Sequence, residues 1–394
     1  MNASPEIYNV GGVELPRPFQ LVRLGHLGLW DPKIERCQST FVDLLGLRYT
    51  DDVRVPTGEV IGFFTTCNTD HHALIAMDPT NTDPLRKAYF DAGITLNQLS
   101  FQVNSLQEIN DAHSFFQRKG VEISRIGRDL PGSNWAVYAF DPDGHRVELF
   151  YGMEQIGWNG LSKPAAMYQR LPHTEFELPQ RAEALEVQEA LANGIDLCSG
   201  FGRLSELPYS HDVGGVLLQR PFKVTRVGPV RMFVADIDAS ELFYTEIIGL
   251  QKTQEVIYKG HRCVYLRAGS EHHSVALMPL ALREELKFSA KTTLMSLGLQ
   301  VQTYSQLRAA REFLRSNGLT EVELPCELHP GIQYAAHFML DDMHRIELYF
   351  DMEQIGWNGQ PCPDTVPVPV NEWPETLTQT TSIFAGQIRQ GPMA

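Results

Sequence analysis

Four apolar, strand-like segments of this 394-residue chain carry polar or titratable side chains. They are GHLGLW with His26, DHHALIAM with His72, LNQLSFQV with Gln98, and HRVELF with Glu148. Successive side chains of a strand point to opposite faces of a sheet. If the leucine and valine residues form a core, His26, Gln98 and Glu148 share the other face. A buried carboxylate requires a partner, and histidine can exchange protons near neutral pH, so this face is a candidate site for cation binding or proton transfer.

The elements that position these residues follow a repeated order of one strand, one helix and three strands. Apolar spacing predicts an amphipathic helix from Ile34 to Leu45. Ser105 and Glu108 form a capping box that opens a second helix, which runs to Gly120. The turn Asp-Pro-Asp-Gly at 141–144 predicts a hairpin. The unit is therefore βαβββ, and the chain contains four such units. The segment around His72 is predicted as a strand over 71–77.

An internal two-fold repeat relates the two halves of the chain. NVGGVELPRPFQLVRLG, from Asn9, matches DVGGVLLQRPFKVTRVG, from Asp212. HRVELFYGMEQIGWNG, from His145, matches HRIELYFDMEQIGWNG, from His344, and the last eight residues are identical. Self-similar segments in the same order indicate a duplicated architecture. We predict an N-terminal domain over 1–160, a connector over 161–211, a C-terminal domain over 212–359 and a proline-rich tail over 360–394.

Composition excludes several classes of function. Lys and Arg number 33 against 48 Asp and Glu, a net charge of −15, so the chain lacks the basic field that nucleic acids or anionic membranes attract. No apolar stretch approaches the length of a membrane span, and MNASPEIYNVGG lacks the features of a signal peptide. Six scattered cysteines form no Cys-x-x-Cys pair. We expect a cytoplasmic protein, a homo-oligomer, without nucleic-acid or membrane partners.

The paired βαβββ modules, the first-strand histidine and the glutamate in a Val-Glu-Leu-Phe strand resemble the vicinal oxygen chelate superfamily, and within it the type I extradiol catechol dioxygenases. The resemblance covers both copies of the repeat but neither the connector nor the tail. It implies an α+β fold in which four βαβββ modules form two tandem barrels. Each barrel of such a protein is a cup-shaped sheet that can enclose a metal ion.

The resemblance implies a role for particular residues of the first copy. The metal ligands would be His26, Gln98 and Glu148. His72, in an H-H-x-x-A-like strand, would be the catalytic histidine, and Tyr138, ten residues before the glutamate, would contact the substrate hydroxyl. Two plainer interpretations stay open: the paired histidines occur in both copies, which favours a structural role, and a tyrosine in a strand needs no catalytic explanation.

Two positions of the first copy depart from the family pattern. Asp129 stands nine residues before Tyr138, where the family has a further histidine, and we include it among the predicted catalytic residues. Gln98 stands where the extradiol enzymes have a histidine ligand. Glutamine ligates metal in glyoxalase-like members, but its amide is a weaker donor for iron than imidazole. Gln98 is therefore either a ligand or an ordinary inward-facing amide.

The second copy departs further from the pattern. The three ligand positions hold Pro229, Ser296 and Glu347, and His337 replaces the tyrosine. Arg231 lies on the strand facing Glu347 and would neutralise that carboxylate without a metal. We therefore predict that the second barrel lacks a complete metal site and that the active site lies in the first.

The resemblance predicts a metal-dependent extradiol-type dioxygenase that opens a catechol-like aromatic ring with O2. The cofactor would be Fe(II), or alternatively Mn(II), since two neutral ligands and one carboxylate leave positions free for both substrates. One alternative is a metal-free protein that binds an aromatic ligand in the same cup. Another is an isomerase or hydrolase that uses the metal on an enediol.

Overall fold

The computed structural model describes residues 6–81, 84–156, 160–168, 178–203, 205–356, 358–362 and 365–377. Within these residues, the first half contains ten strands: β1 (Tyr8–Val10), β2 (Val13–Leu15), β3 (Leu21–Trp30), β4 (Arg48–Arg54), β5 (Val60–Thr66), β6 (Leu74–Met77), β7 (Leu96–Val103), β8 (Ile123–Arg128), β9 (Trp135–Phe140) and β10 (Arg146–Tyr151). Its helices are α1 (Ile34–Gln38), which continues as a π-helix over Ser39–Leu44, α2 (Pro84–Asp91) and α3 (Leu106–Lys119). The predicted connector contains α4 (Ala165–Tyr168) and α5 (Glu183–Ala192).

The second half repeats this order. Its strands are β11 (His211–Val213), β12 (Val216–Leu218), β13 (Val224–Val234), β14 (Gln251–Tyr258), β15 (His261–Arg267), β16 (Val275–Pro279), β17 (Leu294–Val301), β18 (Thr320–Val322), β19 (Ala335–Met339) and β20 (Arg345–Tyr349). Its helices are α6 (Ile237–Leu242), continued by a π-helix over Phe243–Ile248, α7 (Ala281–Glu285) and α8 (Tyr304–Ser316). Short 3-10 helices cover Pro79–Asn81, Cys326–Leu328 and Val370–Glu372.

Where the structure describes the chain, each half builds one eight-stranded mixed sheet. The strand order is β4-β5-β6-β3-β7-β10-β9-β8 in the first half and β14-β15-β16-β13-β17-β20-β19-β18 in the second. Two βαβββ modules therefore join at their first strands, which confirms the four-module α+β fold. The prediction of barrels needs correction. Closure requires the two edge strands to pair, and β4 does not pair with β8 among the described residues, so each sheet is open.

Local sequence signals position the elements around the polar face. Ser105 caps α3 by accepting a hydrogen bond from the Glu108 amide at 3.2 Å, and the helix ends at Gly120, whose φ of 68° is left-handed. β9 and β10 pair antiparallel on either side of the turn at 141–144. The predicted strand over 71–77 is shorter than expected. β6 begins only at Leu74, so the histidine pair lies in the loop before the strand.

The chain divides into two compact units whose limits differ from the repeat boundaries. The first unit contains the described residues of 1–34, 48–81 and 97–205, and the second contains 35–47, 82–96 and the described residues from 206 onward. Two segments of the first sequence half thus belong to the second unit. Among the described residues, no helix is long and apolar enough to cross a membrane.

Candidate functional site

The centre of the site in the first half is a pair between His26 on β3 and Glu148 on β10. His26 Nε2 lies 2.8 Å from Glu148 Oε2, and both side chains are fully buried. Strand β7 lies between these two strands and pairs with β10 in parallel, with Ser100 directly opposite Glu148. The alternation along the three strands therefore brings the predicted polar face together, as the sequence indicates.

Glu148 accepts hydrogen bonds on both carboxylate oxygens. Ser100 Oγ donates to Oε2 at 2.5 Å and Gln98 Nε2 donates to the same oxygen at 3.0 Å. Asn134 Nδ2 donates to Oε1 at 2.9 Å. Burial raises the pKa of Glu148, but the His26 imidazole and the hydrogen bonds outweigh burial and hold that pKa below its usual value. The group is therefore a charged carboxylate in a buried setting.

Gln98 bridges Glu148 and an arginine. Its Oε1 accepts a hydrogen bond of 2.9 Å from Arg146 Nη2, while its amide nitrogen faces the carboxylate. Arg146 also donates to Asn97 Oδ1 at 2.6 Å. Sequence reasoning missed Arg146, although it lies two residues before Glu148 on β10, and alternation places it on the same face. It also missed Asn134, because this residue lies in the loop before β9, where alternation gives no signal.

His72 lies beside the central pair. Its ring centroid is 4.4 Å from that of His26, and its Nδ1 is 2.9 Å from His71 Nδ1. Gly132, with φ of +101°, packs on the ring so closely that a Cβ there would lie 2.9 Å from His72 Cε1. Burial, together with the charges that His26 and His71 can carry, lowers the pKa of His72 well below its usual value. The imidazole is therefore neutral near neutral pH.

Tyr138 and Asp129 form a second polar pair. Tyr138 OH donates to Asp129 Oδ2 at 2.5 Å, and Asp129 also forms an ion pair with Arg125. The guanidinium carbons of Arg125 and Arg146 lie 4.9 Å and 4.5 Å from the centroid of the Tyr138 ring. Burial and the negative charge of Glu148 raise the pKa of Tyr138. The phenol therefore keeps its proton and acts as a donor.

The six residues predicted from the sequence form one contiguous group. Asn134 joins its two parts, because its Nδ2 lies 2.9 Å from Glu148 Oε1 and 3.2 Å from Asp129 Oδ2. The group combines two carboxylates, Glu148 and Asp129, with two imidazoles, of which His72 is neutral, and a protonated phenol. Such a set can bind a cation, move a proton and orient a hydroxyl group.

The equivalent face of the second half has different chemistry. Glu347 is fully buried and forms an ion pair with Arg231, as the sequence predicts. Arg231 Nη2 also lies 3.1 Å from His273 Nε2. Burial lowers the pKa of Arg231 to about 10, so the guanidinium is still charged near neutral pH. At the three ligand positions of the family, the second half provides only the carboxylate.

The sequence model of the Glyoxalase/Bleomycin resistance protein/Dioxygenase superfamily matches residues 23–149 and 226–348 of this chain. The two ranges run from within β3 to within β10 and from within β13 to within β20, and they cover more than half of the chain. The chain therefore belongs to this superfamily.

Similar proteins include ring-cleaving dioxygenases. The chain is 27% identical over 135 residues to a 2,2',3-trihydroxybiphenyl dioxygenase of Sphingomonas paucimobilis, a match to 34% of this chain and 42% of that protein. The chain thus spans less than half the length of that relative. The Mn(II)-bound glyoxalase of Novosphingobium aromaticivorans has a TM-score of 0.56 at 10% identity, covering 89% of this chain and 90% of the other. The 2,3-dioxygenase LapB of Pseudomonas sp. KL28 has a TM-score of 0.55 at 15% identity, covering 89% and 97%. At these identities the structural likeness shows the fold alone.

Proposed function

We propose that this protein is a metal-dependent, extradiol-type dioxygenase that opens a catechol-like ring with O2, and that its active site lies in the first half. The observation that carries the proposal is the convergence of His26, Gln98 and Glu148 at one buried point, with His72 and Tyr138 beside it. The partial similarity to a trihydroxybiphenyl dioxygenase supports this class of reaction.

The donor set suits a divalent ion. His26 Nε2 and Glu148 Oε2 lie 2.8 Å apart, so both atoms can face one cation in place of the hydrogen bond between them. Gln98 would present its oxygen after a half-turn of the amide, which gives up the contact with Arg146 but leaves Arg146 bonded to Asn97. One imidazole, one amide and one carboxylate fit Fe(II) or Mn(II). When bound, the ion would supply Lewis acidity and open positions for the catechol oxygens and O2.

The remaining residues would handle protons and orientation. His72 is neutral because its pKa is lowered, so it can accept a proton from a catechol hydroxyl and later return it. Tyr138 keeps its proton, which it donates to Asp129 at 2.5 Å, so the hydroxyl would have to turn this proton away from Asp129 to donate to a substrate oxygen. The two guanidinium groups near the Tyr138 ring favour an anionic substrate.

The test is O2 uptake by protein loaded anaerobically with Fe(II) or Mn(II), using catechol, 3-methylcatechol and 2,2',3-trihydroxybiphenyl as substrates. Wild type should consume O2 and form a ring-opened product. Glu148→Gln should lose this activity and should also bind one equivalent of metal less than wild type. Glu154→Gln is the matched control, because Glu154 is a buried carboxylate of the same half whose pKa burial raises. Activity in Glu148→Gln, or none in wild type with any substrate, would contradict the proposal. Metal loading without O2 uptake would favour the isomerase or hydrolase alternative.

A second candidate is a metal-free binding protein for an aromatic or enediol ligand. The observation that favours it is that Glu148 has hydrogen-bonding partners on both oxygens: His26, Ser100 and Gln98 at Oε2, and Asn134 at Oε1. A carboxylate with four such contacts is stable without a cation. Titration calorimetry of chelator-treated protein with the same three catechols distinguishes the two candidates. A metal-free binding protein keeps its affinity for the catechols after chelator treatment, and added metal does not raise that affinity.

A further inference from the structure

A second group of possible metal ligands lies in the second half and shares only its carboxylate, Glu347, with the family's ligand positions. It consists of His329, which follows the short helix at 326–328, His337 on β19 and Glu347 on β20. His337 and Glu347 are direct cross-strand partners. His329 Nδ1 lies 3.5 Å and His337 Nε2 lies 3.7 Å from the same atom, Glu347 Oε1.

Four buried side-chain atoms of this triad have no hydrogen-bond partners among the described residues. They are His329 Nδ1 and Nε2, His337 Nε2 and Glu347 Oε1. The separations of 3.5 Å and 3.7 Å exceed the usual 2.7–3.2 Å of a hydrogen bond. All three side chains are at least 95% buried, and a buried polar atom without a partner is costly. A ligand bound between these three groups would give their unpartnered atoms a partner.

The charge state of the triad suits a cation. Burial, with the nearby His337 and the Arg231 guanidinium, lowers the pKa of His329 well below its usual value. Burial and Arg231 also lower the pKa of His337, to about 3. Both imidazoles are therefore neutral, and neutral imidazole is the form that ligates metals.

We propose that His329, His337 and Glu347 bind a divalent first-row transition ion such as Zn(II). Two imidazoles and one carboxylate are a common ligand set for zinc and iron, and they leave coordination positions open. Arg231 contacts the other carboxylate oxygen, Oε2, and leaves Oε1 free. It would act as the outer partner that orients a ligating carboxylate. Its positive charge opposes the ion, so we expect weaker binding than in a triad without a neighbouring cation.

A cavity of about 250 Å³ reaches the triad, and its lining includes both histidines, Cys326, Gln333 and the segment 367–371. It approaches the lower limit of typical ligand pockets, roughly 300 Å³. The open positions of the ion would therefore be accessible to a small ligand with an oxygen or nitrogen donor.

The first half cannot form this site. The segment Leu130-Pro131-Gly132 corresponds to His329-Pro330-Gly331, because Gly132 and Gly331 each accept a hydrogen bond from the amide of an equivalent glutamate. Tyr138 pairs with Glu148 as His337 pairs with Glu347. The first half thus has leucine and tyrosine where the second has the two imidazoles, and the new site does not depend on the proposed function.

The experiment titrates Zn(II) and Co(II) into full-length, chelator-treated Glu148→Gln, a background that removes the proposed ion of the first half. This parent should bind one equivalent, with a visible Co(II) spectrum and a raised melting temperature in zinc. Adding His329→Leu or His337→Phe, which both remove the donor atoms, should weaken binding more than about 100-fold, since even outer-shell changes cost 10–100-fold. The visible Co(II) spectrum and the rise in melting temperature in zinc should then disappear.

The matched control is His261→Gln, because His261 lies on the same half beside Glu285 and tests metal binding at a surface histidine. It should bind metal as the parent does. Melting curves in chelator show whether each variant folds, and His337→Phe carries the test if His329→Leu does not fold. No metal in the Glu148→Gln parent, or unchanged affinity in a folded triad variant, would overturn the proposal. Absence of dioxygenase activity in the wild type would not overturn this metal site. The two proposals can therefore fail separately.

Discussion

Gln98 presents its amide nitrogen, not its oxygen, to Glu148. Nε2 lies 3.0 Å from Glu148 Oε2, while the amide oxygen accepts a 2.9 Å hydrogen bond from Arg146. In this arrangement Gln98 stabilises the charged carboxylate by donating a hydrogen bond to it. The same side chain becomes a ligand only if the amide turns over, so Gln98 distinguishes the metal-dependent function from the metal-free one.

The first prediction therefore concerns Gln98. We expect Gln98→Leu to weaken Fe(II) binding at the first-half site strongly, because leucine has a similar size but no donor atom. Gln98→His should preserve or tighten binding, since imidazole is the better donor for a divalent first-row metal. Anaerobic Fe(II) titration gives the three dissociation constants.

Gln102→Leu is the matched control for this series. Gln102 lies on the same strand and face but bonds Arg23, at 2.7 Å, instead of Glu148. It should bind iron like wild type. If Gln98→Leu also does so, Gln98 is not a ligand and the three-residue metal site is wrong.

The second prediction concerns His72. Substitution by phenylalanine should leave iron content near that of wild type but lower turnover by about 10²-fold or more, as for loss of a general acid or base. Turnover and bound iron should be measured on the same preparation. Loss of iron would instead make His72 a ligand, and unchanged turnover would make it structural.

The third prediction concerns the phenol of Tyr138. Tyr138→Phe removes the hydroxyl that donates to Asp129 at 2.5 Å. We expect kcat/KM for a catechol to fall about 10-fold, which corresponds to the free energy of one hydrogen bond to a charged group. Tyr49→Phe is the matched control, because Tyr49 is a buried tyrosine that donates to Asp52 at 3.0 Å outside the site. Equal losses in both variants would mean that the effect is one of stability.

The fourth prediction concerns the turn before β20. Burial raises the pKa of Asp341, but hydrogen bonds from His344 and two backbone amides outweigh it and lower the pKa from 3.8 to about 2. A carboxyl pKa lowered by folding stabilises the protein above the unfolded pKa and loses that effect as pH falls through the folded pKa. Asp341→Asn should therefore cost about 1–2 kcal/mol of unfolding free energy at pH 7.

The difference between wild type and Asp341→Asn should shrink between about pH 4 and pH 2, which denaturant unfolding at several pH values measures. Asp342→Asn is the control, because Asp342 is exposed in the same turn and should change stability little. A difference that stays constant with pH would show that the Asp341 charge is not the cause.

Local signals in the sequence were sufficient to predict the modules. The capping box at Ser105 and Glu108 and the hairpin turn at 141–144 each depend on a few adjacent residues, and the structure confirms both. Alternation along the strands also predicted that His26, Gln98 and Glu148 share a face, because the two-residue period is a property of the backbone itself.

Contacts between distant segments were decided only by the tertiary structure. Whether each sheet closes depends on the pairing of its two edge strands, which no local pattern describes, and among the described residues these strands do not pair. Asn134 reaches Glu148 from a loop, and the direction of the Gln98 amide follows from Arg146. His329 meets Glu347 from outside any strand, so strand alternation could not include it. The sequence determined which residues share a strand face, because that follows from backbone geometry, whereas loop placement and strand register determined which polar atoms meet.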